Sequence, residues 1–504
     1  MKIKLALNTI TSILLQVVTV ISGFIIPRLI LLQYGSNVNG LVQSITQFLG
    51  VITCLELGVG QVIQSALYKP LAKGDRKSFN EILASGDAFF KRIARILFVY
   101  VIILTVIYPF VIKNEFGHVY ILFLIVSISI SSFAQYYFGI IDNILLNADQ
   151  KGYIQYASQI LAIILNTAVC ALLIRMNLTI QVVKLSASLI YLMRPFVVRM
   201  YVNRHYRIDR NIKYDKEPIE QKWNGIAQHV SAFILNGTDT IVLTVFSTLD
   251  NVSIYSVYHM VVYGVHQLYQ SATAGVHALV GDLWAKQEIK RLQRFYDYIE
   301  IVLHFSTVFL FSCTGILIIP FISVYTRGIA DINYIQPVFG ILIVLAHAAQ
   351  CIKTTYNIII LAGGHYKQTQ KCHIISAILN IVISIGCVYK YGLIGVALGT
   401  VISMMYQMVW MAFYDSKNLL KRPFRNFIKQ IIADIVTVIT IICAASCIKL
   451  KAYTYFAWAV MAIKVALLAA GIVGVMAFVL YPKKMKEMVS GLLKVKERVK
   501  ESHG

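Results

Sequence analysis

Runs of about 20 apolar residues recur from one end of this chain to the other, separated by short polar and basic segments. Each run is long enough to cross the roughly 30 Å hydrocarbon core of a bilayer as an α-helix. The pattern predicts fourteen helices, over about 8–32, 40–66, 88–112, 118–145, 153–175, 180–201, 224–248, 253–279, 296–322, 335–360, 372–389, 392–414, 427–447 and 453–480. Alternating ten-residue segments of the kind that build membrane β-barrels are absent. The expected fold class is an all-α polytopic membrane protein.

The polar segments set the topology. Of the Lys and Arg residues, 36 fall in segments on one side of the spans and 6 on the other, while Arg28, Lys184, Lys353 and Lys464 fall inside spans. The positive-inside rule then places both termini in the cytoplasm and favours an even number of spans. The first span is read as retained, because no small-residue cleavage site follows it. The net charge of +23 is explained by this distribution, so no nucleic-acid partner is expected. Anionic membrane lipids are expected instead. Lys69 to Lys77 reads as a basic turn leading into an interfacial helix, and the tail from residue 481 as lying on the inner leaflet.

Composition agrees: 58% of residues are hydrophobic and 14% charged, against about 25% charged in soluble domains. The eight cysteines all fall in predicted spans without a Cys-x-x-Cys pair, which suits reduced packing residues.

The chain also repeats itself. Asn143 to Ala148, followed by Asn166, matches Asn357 to Ala362, followed by Asn380, at an offset of 214. Ala66, Leu67 and Leu71 match Ala278, Leu279 and Leu283 at an offset of 212. A six-span duplication explains both and relates the copies by an axis along the membrane normal. The expected organisation is an N-terminal six-helix bundle over 1–201, a cytoplasmic linker over 202–223 and a C-terminal six-helix bundle over 224–414. Helices 13 and 14 over 427–480 and a basic tail over 481–504 follow.

Candidate chemistry lies in the spans. An ionisable residue at bilayer depth costs roughly 2.5–3.5 kcal/mol and needs a partner or a role. Arg28, Glu56, Asp142, Asp239 (in Asn236-Gly237-Thr238-Asp239) and Lys353 are such residues. They either line a wet cavity or pair within a bundle. Arg28 and Lys353 suit an anionic cargo such as a phosphate or pyrophosphate. The carboxylates suit Na⁺ or H⁺ as a coupling ion. His259, His266 and His277 share a helical face with several tyrosines, which suits sugar stacking or simple packing. No carboxylate or cysteine accompanies two of these histidines, so no metal site is expected. Asp434 and Lys464, in the last two spans, are expected to pair. The Gly-x-x-x-x-Gly-Lys loop, His-Glu-x-x-His, Gly-x-Ser-x-Gly and Asp-x-Asp patterns are all absent, so neither an enzyme nor a cofactor is expected.

Short motifs carry a resemblance. Pro27-Arg28-Leu29-Ile30 with Tyr34-Gly35, Gly40-Leu41, Leu55 to Gly60, the loop Ala66 to Lys77, and Leu146-Asn147-Ala148-Asp149-Gln150 occur in that order. Together they resemble the Wzx-type polysaccharide-biosynthesis flippases of the multidrug/oligosaccharidyl-lipid/polysaccharide exporter superfamily. The resemblance implies two pseudo-symmetric six-helix bundles, as in the related multidrug (MATE) transporters, around a central cavity faced by Arg28, Glu56 and Asp239. It implies alternating-access movement of undecaprenyl-diphosphate-linked oligosaccharide from the inner to the outer leaflet of the bacterial cytoplasmic membrane. Expected partners are the lipid-linked oligosaccharide, membrane lipids, and a polysaccharide polymerase and glycosyltransferases. The alternative reading is a multidrug/cation antiporter of the related family. The duplicate has Leu268 where Glu56 has its match at an offset of 212, so any site is asymmetric.

Overall fold

The computed structural model describes residues 2–56, 59–112, 116–210, 212, 226–488 and 490. Side chains at 2, 3, 5, 226–232, 236 and 274 lie outside that description. The described chain is helical throughout. Its helices are α1 (Lys2–Gly50), α2 (Thr53–Glu56), α3 (Val59–Lys73), α4 (Arg76–Val111), α5 (His118–Ala134), α6 (Ile140–Ala148), α7 (Gly152–Arg175) and α8 (Ile180–His205). They continue as α9 (Ile226–Phe246), α10 (Leu249–Ala285), α11 (Ile289–Tyr325), α12 (Pro337–Ala362), α13 (Tyr366–Tyr391), α14 (Leu393–Tyr414), α15 (Arg425–Ala445) and α16 (Tyr455–Leu480). Two π-helical turns, Gln135–Gly139 and Asp415–Leu419, are set into this series.

Eleven helices among the described residues are long and apolar enough to cross a membrane. Part of the difference from fourteen is that the first two predicted spans run on as one helical stretch. A straight helix the length of α1 would reach about 74 Å, more than twice the hydrocarbon thickness. It is broken at Gly35 (φ 81°, ψ 174°), backbone that a β-carbon would strain. The second segment starts at Ser36, whose N–H and hydroxyl both donate to Asp331, at 2.6 and 2.8 Å. That segment, with α2 and α3, forms the second predicted span. Of α9, the stretch Gly237–Phe246 counts as a shorter apolar helix, and the polar residues of α10 keep that helix out of the eleven.

The chain forms two compact units. Unit 1 comprises residues 1–256 with 329–332, and unit 2 comprises 257–328 with 333–504. The boundary between these two units falls inside α10. In unit 1, α9 and the start of α10 pack on α1. The Thr244 hydroxyl donates to Ser44 at 2.7 Å, and the Asn39 amide donates to Ser253 at 2.8 Å. A β-carbon at Gly40 would lie 1.9 Å from the Leu249 carbonyl oxygen, which cannot retreat as a side chain would. Gly40→Ala is therefore expected to cost about 1–3 kcal/mol. A lower unfolding midpoint of the solubilised protein would report it; an unchanged midpoint would contradict this contact.

The core of unit 1 draws on α1, α3, α4, α5, α6 and α8, with Ile45, Ile63, Leu97, Leu124, Leu145 and Val183 fully buried. In unit 2, α12, α13 and α14 pack together, and α11 packs on α12, α15 and α16. The outward faces remain apolar: Phe98, Ile102, Val106 and Phe110 of α4 and Phe456, Ile463 and Leu467 of α16 are exposed. Such surfaces fit hydrocarbon, where helices satisfy their own backbone groups. The duplication has a local counterpart. Asn166 of α7 donates to the Tyr191 hydroxyl of α8, and Asn380 of α13 to Thr400 of α14, at 3.4 and 3.1 Å.

Two details differ from the sequence expectation. The basic segment Lys69 to Lys77 leads into no separate interfacial helix; α3 runs to Lys73 and Asp75 caps α4 by accepting from the Ser78 amide. The start of the tail is held by unit 2, where Met485 packs against Ile301, Phe305 and Ala477.

Candidate functional site

Unit 1 holds Glu56, Asp142, Asp239 and Arg28. Glu56 ends α2, partly buried, and accepts from the Tyr136 hydroxyl at 3.0 Å. Tyr136 lies in the first π-helical turn, whose i→i+5 hydrogen bonds rotate the following side chains relative to a regular helix. Asp142, 1% exposed, receives the Arg210 guanidinium at 2.5 Å. The same guanidinium lies 3.5 Å from Asp87, which in turn pairs with Lys91 at 2.6 Å. Asp142 is thus part of a cluster that ties the segment after α8 to α4 and α6. Asp239, 3% exposed, accepts from Tyr255 at 3.1 Å. Arg28 is partly buried on α1, one residue after Pro27. The Asn236 side chain lies outside the described residues.

The Leu146 to Gln150 motif forms the turn between α6 and α7. Asp149 accepts from Lys151 at 2.7 Å and from the Tyr206 hydroxyl. Burial alone would raise the Asp149 carboxyl, but the Lys151 and Tyr206 hydrogen bonds outweigh it and hold the carboxyl below its ordinary value. Its contribution to stability is therefore present above roughly pH 4 and fades as pH falls through the depressed value. Burial would lower the Lys151 ammonium, but the hydrogen bonds to Asp149 and Tyr206 dominate and raise it. That contribution is present below roughly pH 10 and is lost on the alkaline side. Asp149→Asn is expected to cost about 1 kcal/mol near neutrality, with the difference from wild type vanishing in acid. A difference that persists unchanged below pH 3 would contradict this assignment.

Unit 2 gathers its polar residues. His259, His266 and Gln270 lie on one face of α10, and His347, Gln350, Lys353 and Thr354 on one face of α12. The His347 ring lies 5.6 Å from that of His259 and 5.9 Å from that of His266. Gln270 bridges His266 at 3.2 Å and Thr354 at 3.5 Å. His373 of α13, with Gln407 of α14 at 3.1 Å, extends the group. Lys353 is partly buried and within electrostatic range of His266 and His373. Among the described residues no carboxylate pairs with Lys353. No group of three described residues is arranged to hold a metal ion.

The sequence brought out His259, His266 and Lys353 but missed His347. Its signal was available: His347, Gln350 and Thr354 follow the i, i+3, i+7 spacing of one helical face. The expected pairing of Asp434 with Lys464 is not formed. Asp434 is 5% exposed and bonds to His304 at 2.6 Å, while Lys464 is exposed on α16. A long lysine chain keeps its ammonium away from apolar surroundings, whereas the buried histidine is already beside the carboxylate.

No family model and no curated protein matches the chain. Solved structures do. A lipid II flippase MurJ in an inward closed conformation superimposes with a TM-score of 0.65 at 15% identity, covering 93% of this chain and 98% of that one. An inward-facing multidrug resistance MATE family transporter of the MOP superfamily gives 0.58 at 13% identity, covering 79% and 95%. A MATE protein in a bent conformation gives 0.51 at 14% identity, covering 82% and 96%. The chain has the fold of these membrane proteins. The expected all-α polytopic class, with a fold like that of MATE transporters and flippases, is the observed one. These neighbours are transporters and flippases, not enzymes.

Proposed function

We propose that the chain is a flippase that moves undecaprenyl-diphosphate-linked oligosaccharide repeat units from the inner to the outer leaflet of the bacterial cytoplasmic membrane, for surface polysaccharide assembly. It would work by alternating access, with both termini cytoplasmic, coupled to H⁺ or Na⁺. The observation that carries this reading is Lys353, a cation among histidines, glutamine and threonine, with no carboxylate pairing with it among the described residues. A diphosphate would supply the missing anion, and the histidines and glutamines offer donors and acceptors for sugar hydroxyls. The shared fold with a lipid II flippase supports a lipid-linked cargo. Arg28, Glu56 and Asp239 are assigned to the transport path of unit 1. A polymerase and glycosyltransferases are the expected partners on the two sides of the reaction.

Purified protein in proteoliposomes, supplied with fluorescent lipid-diphosphate sugar, is expected to expose the label to an impermeant quencher or enzyme only when an ion gradient is present. Failure to move the label beside an active control flippase would overturn the reading. The second reading, a cation antiporter, draws on Asp239 buried against Tyr255 and on the MATE neighbours. Saturable extrusion of a cationic dye, lost in Asp239→Asn or Glu56→Gln, would favour it.

A further inference from the structure

Unit 2 holds a second polar network, on α11, α12 and α15, separate from Lys353 and its histidines. Asp434 Oδ2 lies 2.6 Å from His304 Nδ1. His304 Nε2 lies 2.9 Å from the Tyr356 hydroxyl, which lies 2.8 Å from Glu300 Oε1. Arg422, in the turn before α15, forks onto both Glu300 oxygens at 2.6 and 2.7 Å. His304 and Tyr356 have no exposure, and Glu300 and Asp434 have 5% each. These contacts form one unbroken chain of hydrogen bonds from α15 to the α14–α15 connection.

Counting protons along this chain gives it two states. Tyr356 has one hydroxyl proton and two neighbours. Glu300, held in a bidentate pair with Arg422, is ionised and only accepts. When Tyr356 donates to Glu300, His304 Nε2 must carry a proton to donate to Tyr356. The His304–Asp434 contact then needs a proton of its own, so the pair holds one more than neutral imidazole beside carboxylate. When that proton leaves, Nδ1–H still faces Asp434, Nε2 is bare, and the Tyr356 hydroxyl must turn from Glu300 to His304. Proton occupancy at one end of the chain is thereby tied to hydrogen bonding at the other.

Buried charge surrounds the pair. Arg422 is the one fixed cation hydrogen-bonded into the chain among the described residues; it pairs with Glu300 and acts on Asp415, while Asp434 lies buried at the far end beside His304. Asp297 meets Arg422 at 3.2 Å at the more exposed edge, where Lys484 bonds its carbonyl. The remaining neighbours are uncharged: Tyr296 stands under the guanidinium, and Gln430 links Asp434 to Tyr481. Uncompensated negative charge in such a site is costly, and a bound proton relieves it.

We propose that the His304–Asp434 pair is a proton-binding site, whose occupancy is relayed through Tyr356 to the Glu300–Arg422 ion pair that joins α11 to the start of α15. It rests on the transporter reading above and names the proton as the coupling ion.

The test is infrared difference spectroscopy of the full-length protein, purified and reconstituted in lipid, with ring-labelled histidine. Wild type is expected to show an imidazolium band that titrates with pH, accompanied by a change in a tyrosine C–O band. His304→Gln is expected to lose both signals. Tyr356→Phe is expected to keep a histidine titration and lose the tyrosine change. Histidine spectra of His304→Gln that match wild type would overturn the proposal. If His304→Gln does not fold, a tyrosine change that persists in Tyr356→Phe overturns it equally. In proteoliposomes His304→Gln is expected to lose the response of lipid movement to a pH gradient. Titration without any lipid movement would leave the relay standing and overturn the flippase reading. Lipid movement without the titration would do the reverse.

Discussion

Replacing Arg422 by glutamine should destabilise unit 2 by about 3–5 kcal/mol, more than any other single substitution considered. The guanidinium is the shared counter-ion of Glu300 and Asp297 and lies 4.9 Å from the centre of the Tyr296 ring. Truncating it leaves Glu300 ionised, buried and unpaired, which costs far more than the net worth of the pair itself. The measurement is the midpoint of unfolding of the solubilised protein. The double substitution Glu300→Gln with Arg422→Gln should recover much of the loss, because it removes the stranded charge along with its partner. A single Arg422→Gln protein as stable as wild type would show that Glu300 is not held ionised there. It would also remove the premise on which Tyr356 is made to choose between two acceptors.

The overall fold was legible because the bilayer leaves few alternatives. A run of about 20 apolar residues in hydrocarbon can satisfy its backbone only as a helix. The long spans followed from that. What hydropathy could not reveal was how a helix is interrupted. Gly35 breaks α1, and two π-helical turns rotate Tyr136 and Asp415. None of the three changes the apolar count of its segment. The packing of α9 and the start of α10 on α1 was hidden for a related reason. Asn39, Ser44, Thr244 and Ser253 are small polar residues whose side chains meet across helices far apart in sequence.

Ion pairs were the least legible. Asp142 was recognised as costly, but its partner Arg210 lies beyond α8 in a loop. Arg422 likewise reads as one of several loop cations, yet it reaches Glu300 inside the helical bundle. Sequence pattern assigns a charge to a depth and a side, whereas pairing depends on where a loop folds back. Asp434 shows the consequence: proximity along the last two helices suggested Lys464, and the structure supplied a histidine from α11. The polar face of α12 was different, since helical spacing alone places His347, Gln350 and Thr354 together.

Charge reversal at Arg28 or Lys353 should abolish transport while leaving the protein expressed and folded. Arg28 lies on α1 in unit 1 and Lys353 on α12 in unit 2, both partly buried. If each contributes attraction for a diphosphate, Arg28→Glu and Lys353→Glu replace that attraction by repulsion, and loss should exceed tenfold, or about 1.4 kcal/mol, in the proteoliposome assay. Neutral Lys353→Gln should lose less than Lys353→Glu, because it removes attraction without adding a repelling charge. A residue needed only for packing would show a different order, with glutamine and glutamate similar in effect and both lowering the unfolding midpoint. The comparison with cationic dyes sharpens the same test. An antiporter for cations should tolerate an added carboxylate or gain from it, so faster dye extrusion by Lys353→Glu would reverse the assignment of cargo charge. Full lipid transport by both reversed variants would remove these cations from the cargo path and leave the histidines and glutamines of α10 and α12 to recognise cargo through uncharged hydrogen bonds.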